Sequence, residues 1–136
     1  MPALTASEPN ALGQLTLDQE VLRDPSRPVH AIADHLLPYL QVLIDQFQPH
    51  KIVLYGSYAN GQPRPDSDID LLVIKDIEQS PLQDSMAIRR AWRPLHDRAG
   101  YLSIHLLMES PAGHLYRIAH AAGFYDTILR TGIRLA

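Results

Sequence analysis

Two short β-prone runs, KIVLY at 51–55 and IDLLVI at 69–74, enclose a loop rich in Gly, Pro and Asn. No other segment constrains the fold as much, because the apolar residues on either side of it recur mostly at helical spacing. Upstream, Val29, Ile32, Ala33, Leu36, Leu37, Leu40, Leu43, Ile44 and Phe47 repeat at three and four and form one apolar stripe. Pro38 interrupts that stripe, which predicts either a kink there or a second helix starting there. Downstream, residues 81–99 read as a helix with Leu82, Met86, Ile88, Trp92, Leu95 and Ala99 on one side. Pro94 should bend or split it, and Gly100 should stop it. Residues 101–108 (YLSIHLLM) read as a third strand, 111–130 as helix broken near Gly123, and 132–135 as a short extended piece. The order helix, strand, strand, helix, strand, helix predicts an α/β (α+β) fold: a small mixed sheet of three to four strands with helices packed on it.

A chain of 136 residues suits one small domain. Residues 1–28, punctuated by Pro2, Pro9, Pro25 and Pro28, are expected to be an N-terminal arm, loose or docked on a partner, with a helical turn or two around residues 15–22. The folded domain is expected at 29–136. The chain has no cysteine, which removes disulfides, thiolate catalysis and Cys-ligated zinc. A net charge of −3 gives no broad basic face, so direct nucleic-acid binding is not expected. No apolar run reaches the length of a membrane span, and the N-terminus lacks the basic start and apolar block of a signal peptide, so a cytoplasmic protein is expected.

The loop carries the chemistry. Asp68 and Asp70 are two residues apart at the start of a strand, so both carboxylates project from one face. Partly buried and alone, such a pair would push one pKa up. A divalent cation between them reverses this, and an all-oxygen donor set favours Mg²⁺. Gly56 and Ser57 close the preceding strand just before a helix turn at 57–60. Gly lets a ligand approach the backbone, and the free N–H groups of a helix start together with the Ser57 hydroxyl suit phosphate. Taken singly, an Asp-x-Asp is most often solvated turn chemistry and a Gly-Ser is usually a turn. Jointly, with ten residues between them and a strand on each side, they describe a site for a metal–nucleoside triphosphate.

Gly56, Ser57, Gly61, Ser67, Asp68, Asp70 and the LLVI that follows resemble the nucleotidyltransferase superfamily that includes DNA polymerase beta, most closely its minimal single-domain members. The likeness runs from about residue 31 to the C-terminus. It implies a nucleotidyltransferase-like fold and two Mg²⁺ ions held by Asp68 and Asp70. It also implies ATP bound through Gly56 and Ser57, and transfer of AMP to a hydroxyl with loss of pyrophosphate. Minimal members of this kind often serve as the antitoxin of a HEPN-domain ribonuclease toxin, which makes a toxin tyrosine the expected acceptor. A small-molecule acceptor such as an aminoglycoside ranks lower, because only a partner or an oligomer could supply a substrate domain.

The chain departs from the family pattern where a third carboxylate should face Asp68 and Asp70: His105 stands there. Three readings of His105 are open. It orients or ligates a metal, it acts as general base for the acceptor hydroxyl, or it marks a degenerate site whose domain neutralises its partner by contact alone. Glu109 shares its face but lies four residues on, about 13 Å along a strand. Asn60 stands where many relatives carry Arg; Arg64 either takes over that role or, more simply, is a loop charge. Other features read more simply: Arg89, Arg90 and Arg93 as a solvated helix face, Trp92, Tyr55 and Tyr58 as packing, and His114 and His120 as unsuited in spacing to zinc.

Overall fold

The computed structural model describes residues 15–120 and 122–136. The chain runs α1 (Gln19–Arg23), a 3-10 segment (Pro28–Ile32), α2 (Ala33–Phe47), β1 (Lys51–Tyr55), α3 (Ser57–Asn60), β2 (Ile69–Ile74), α4 (Pro81–Ala99), β3 (Ile104–Glu109), α5 (Pro111–Ala119), α6 (Gly123–Thr131) and β4 (Ile133–Arg134). The four strands form one mixed sheet in the order β3-β2-β1-β4. β1 pairs antiparallel with β2 and β4, and β2 pairs parallel with β3.

Alternation along the strands sorts the core into two layers. Ile52, Leu54, Ile69, Leu71, Val73 and Ile104 pack against the buried stripes of α2 and α4. On the other face Val53, Tyr55, Leu72 and Ile74 meet Tyr125 and Ile128 of α6. The mixed sheet with packed helices is the architecture the element order predicts.

The two prolines behave differently from expectation. α2 runs through Pro38 and α4 through Pro94 without ending. Each proline removes one helical N–H, but Pro38, Pro94 and the residues four positions earlier, Asp34 and Arg90, are all exposed. Water can therefore take the orphaned carbonyls. The actual change of helix type in the first stripe lies at Ile32/Ala33. Leu82 and Met86, expected on the packed side of α4, are exposed; Ile88, Trp92 and Leu95 are buried. Strand β3 begins three residues later than expected, leaving 101–103 as a loop.

From Leu15 on, the segment expected to be a loose or partner-docking arm is attached to its own domain. Leu15, Leu17 and Leu22 are buried in the larger core layer, and the Asp18 N–H donates to Leu135 O at 2.8 Å. Asp18 also caps α1 by accepting from Val21 N–H. The expected helical turn is α1. The rest of the arm, residues 1–14, lies outside the described residues. At the opposite end of β2, just past its last residue, Lys75 and Asp84 form a buried ion pair at 2.8 Å, and Asp84 also accepts from the Glu78 N–H. Among the described residues no helix is long and apolar enough to cross a membrane.

Candidate functional site

Strand register assembles the site at one end of the sheet. Asp70 is the second residue of β2. It lies opposite Tyr55, the last residue of β1, and beside His105, the second residue of β3. The parallel pairing thus delivers His105 to Asp70, with Nδ1 3.4 Å from Asp70 Oδ1. His105 is 64% exposed and Asp70 25%, so their attraction is weak and screened. Asp68 precedes β2, is exposed, and accepts a 2.5 Å hydrogen bond from the Ser103 hydroxyl. The same loop is tied by its backbone, Ile69 N–H donating to Ser103 O at 3.0 Å.

Gly56 closes β1 with φ +78° and caps α3. Its missing side chain has a definite use: a Cβ there would overlap Asp70 Oδ2. The glycine makes room for the carboxylate, and its positive φ turns the chain so that Ser57 opens α3. The first N–H groups of a helix have no partner within it, and α3 starts at the glycine that Asp70 approaches. Sequence reasoning gave Gly56 a ligand-approach role; the close approach in the structure is by Asp70. Gly61 folds back over Ser57, where a Cβ would meet Ser57 Cα at 3.0 Å.

The electrostatics follow. Burial is the largest cause raising the pKa of Asp70; His105 opposes it and the charge of Asp68 adds to it. The Tyr55 hydroxyl is pushed up to about 12 by burial first and the Asp70 charge second. The pocket thus penalises negative charge and favours a bound cation.

Asp68, Asp70, Gly56, Ser57 and His105 are brought together at this end of the sheet. Glu109 is not: it is drawn away to Arg117 at 2.7 Å. Asn60 donates to Thr131 O at 3.0 Å and so ties α3 to the end of α6. Arg64 is exposed and contributes its backbone to a turn with Ser67. Sequence reasoning missed Ser103, whose only signal was a hydroxyl at the mouth of a strand. Among the described residues no three His, Cys, Asp or Glu side chains form a metal-holding group. Two carboxylates beside the start of α3 would nevertheless suit one hard cation that arrives with triphosphate oxygens. The third carboxylate on which a second ion would rest is absent.

The model of the family described as polymerase beta, nucleotidyltransferase matches residues 40–134. That match covers β1, α3, β2 and β3, and with them every residue of the site. The chain belongs to the polymerase beta nucleotidyltransferase family. A comparison with curated proteins finds no match. A nucleotidyltransferase of this family works in general on nucleoside triphosphates with Mg²⁺, and Gly56, Ser57, Asp68 and Asp70 are the candidate residues for both. No finer assignment of substrate comes with the family.

Proposed function

We propose that this nucleotidyltransferase transfers AMP from Mg-ATP to the hydroxyl of a tyrosine on a HEPN-domain toxin partner, and so acts as its antitoxin. The observation that carries the transfer chemistry is the placement of Asp70 in the space left by Gly56, which sets a carboxylate against the phosphate cradle. Asp68 and Asp70 would hold the Mg²⁺ that comes with the nucleotide, and bound there it would offset charge on the phosphates and on the leaving oxygen. Gly56 and Ser57 hold the β- and γ-phosphates. The acceptor oxygen bonds to the α-phosphorus, the bond to the bridging oxygen breaks, and pyrophosphate leaves. His105, held at Asp70 through Nδ1 and otherwise open to solvent, receives the acceptor's proton. The partner and the antitoxin role rest on the likeness to minimal nucleotidyltransferases. With α-labelled ATP and Mg²⁺, label should appear on the partner's tyrosine and vanish with Asp68→Asn. Intact nucleotide binding with no transfer to a cognate HEPN partner sinks the proposal.

One observation favours a second reading, in which the domain neutralises its partner by contact. Where the family pattern has a third carboxylate, an imidazole pairs with Asp70 instead. On that reading, Asp68→Asn combined with Asp70→Asn leaves neutralisation in a growth assay unchanged. On the first reading the double variant abolishes it.

A further inference from the structure

Residues 101–103 join α4 to β3 and carry Ser103 to Asp68. Among the described residues the backbone of this loop makes two hydrogen bonds. On the strand side, Ser103 O accepts from the Ile69 N–H at 3.0 Å. On the helix side, the Leu102 N–H donates to His96 Nδ1 at 3.3 Å. The bond from the Ser103 hydroxyl to Oδ1 sets how the exposed Asp68 carboxylate turns. A side chain with one bond loses that orientation when the donor moves away.

His96 stands in the last turn of α4, half-buried against the loop. Its Nδ1 has one lone pair and two neighbours: the Leu102 N–H and, at 2.9 Å, the Tyr39 hydroxyl. An amide N–H can only donate, so Nδ1 must be bare, and the neutral ring carries its proton on Nε2. Tyr39 has a second acceptor, Gly100 O at 3.4 Å. A further proton on the ring would therefore separate the two neighbours. Nδ1–H would donate to the Tyr39 oxygen, and Tyr39 would donate to Gly100 O. The Leu102 N–H would then face another N–H and would have to turn toward water.

The surroundings favour the neutral ring. Burial is the largest cause lowering the pKa of His96, Asp97 opposes it, and His35 of α2 and Arg89 add to it. Tyr39 of α2 and Tyr101 of the loop complete the titratable groups that face the ring.

We infer that His96 is a positioning residue for the transferase site: its neutral imidazole ties the 101–103 loop to α4 and so keeps Ser103 on Asp68, and its protonation loosens that end of the site. The tie is independent of the transferase reading; its effect on Mg-ATP rests on that reading.

The test follows one pH range with two measurements on the full chain. NMR reads the titration of His96 and the shifts of the Leu102 and Ser103 amides. Isothermal titration reads Mg-ATP affinity for wild type, His96→Asn and His96→Leu. Asn offers an oxygen in place of Nδ1 and takes up no proton; Leu offers no acceptor. The two amides should shift with the midpoint of His96. Above that midpoint, wild type and His96→Asn should bind alike and His96→Leu about tenfold more weakly, the lower end of what partners behind a metal ligand contribute. Below it, wild type should fall toward His96→Leu while His96→Asn keeps its lead. Asp68, Asp70 and His105 are common to all three chains, so the ratios between them cancel the titration of the site itself. A wild-type profile that superposes on either variant overturns the inference. So do amides that stay still while His96 titrates, or a His96 that takes up no proton while the chain stays folded. If the variants fail to fold, the amide shifts of wild type decide alone. If wild type binds no Mg-ATP at any pH, the transferase reading falls, and the amides then decide the tie: movement with His96 retains it, and stillness removes it.

Discussion

Asp70 carries an internal conflict. Burial, reinforced by Asp68 and only partly offset by His105, raises its pKa above the ordinary carboxylate value. The folded state therefore holds this proton more tightly than the unfolded state does. The carboxyl costs the fold nothing while protonated in both states, and stability is lost as pH rises through the ordinary carboxylate range to the raised value. Asp70→Asn removes that cost. The variant should melt higher than wild type at about pH 7, and the gap should close toward about pH 3, where the carboxyl is protonated folded and unfolded. Calorimetry at the two pH values checks this; a variant less stable than wild type at neutral pH contradicts it. The candidate site residues were legible as candidates, because the Gly-Ser and Asp-x-Asp pairs declare their chemistry locally. Their mutual fit was not. Gly56 accommodates an atom of Asp70 on the neighbouring strand, and Ser103 reaches Asp68 across 35 positions of sequence. Such contacts exist only once β1, β2 and β3 have paired.

Periodicity made the long helices and the central strands readable, since burial of one face imposes a repeat on the residues that carry it. It failed where the deciding quantity was solvent access. Pro38 and Pro94 look like breaks, but on exposed helix faces the lost hydrogen bonds fall to water. The Lys75–Asp84 pair was equally invisible, because neither residue type announces burial. The N-terminal segment is the clearest case. Proline-rich composition argued for an arm, while three leucines decided the outcome from Leu15 onward. Leu22 of α1 is fully buried, so Leu22→Ala should destabilise the whole domain by about 2–5 kcal/mol in urea unfolding, as for other core leucines. A cost below about 0.5 kcal/mol, the range of surface substitutions, would mean that α1 is only lightly attached.

At the scale of the molecule, the proposed nucleotide site lies where β1, β2 and β3 join, so a bound nucleotide should act as a clamp on the fold. A ligand that binds only the native state at about a hundred times its Kd adds about 2.7 kcal/mol of stability. Mg-ATP should therefore raise the melting temperature of wild type in a concentration-dependent way. Asp68→Asn should lose most of that rise while keeping the unliganded melting temperature, because Asp68 is exposed and its removal frees only the Ser103 hydroxyl. An undiminished rise in Asp68→Asn counts against a metal-dependent grip on the triphosphate. The position of His105 has a further consequence at the level of the gene. Either histidine codon becomes an aspartate codon by changing its first base alone. The side chain stands on an exposed strand position with solvent beyond it, so the shorter carboxylate would ask for no repacking. A carboxylate at this position is therefore one base change away, with no rebuilding of the sheet beneath it.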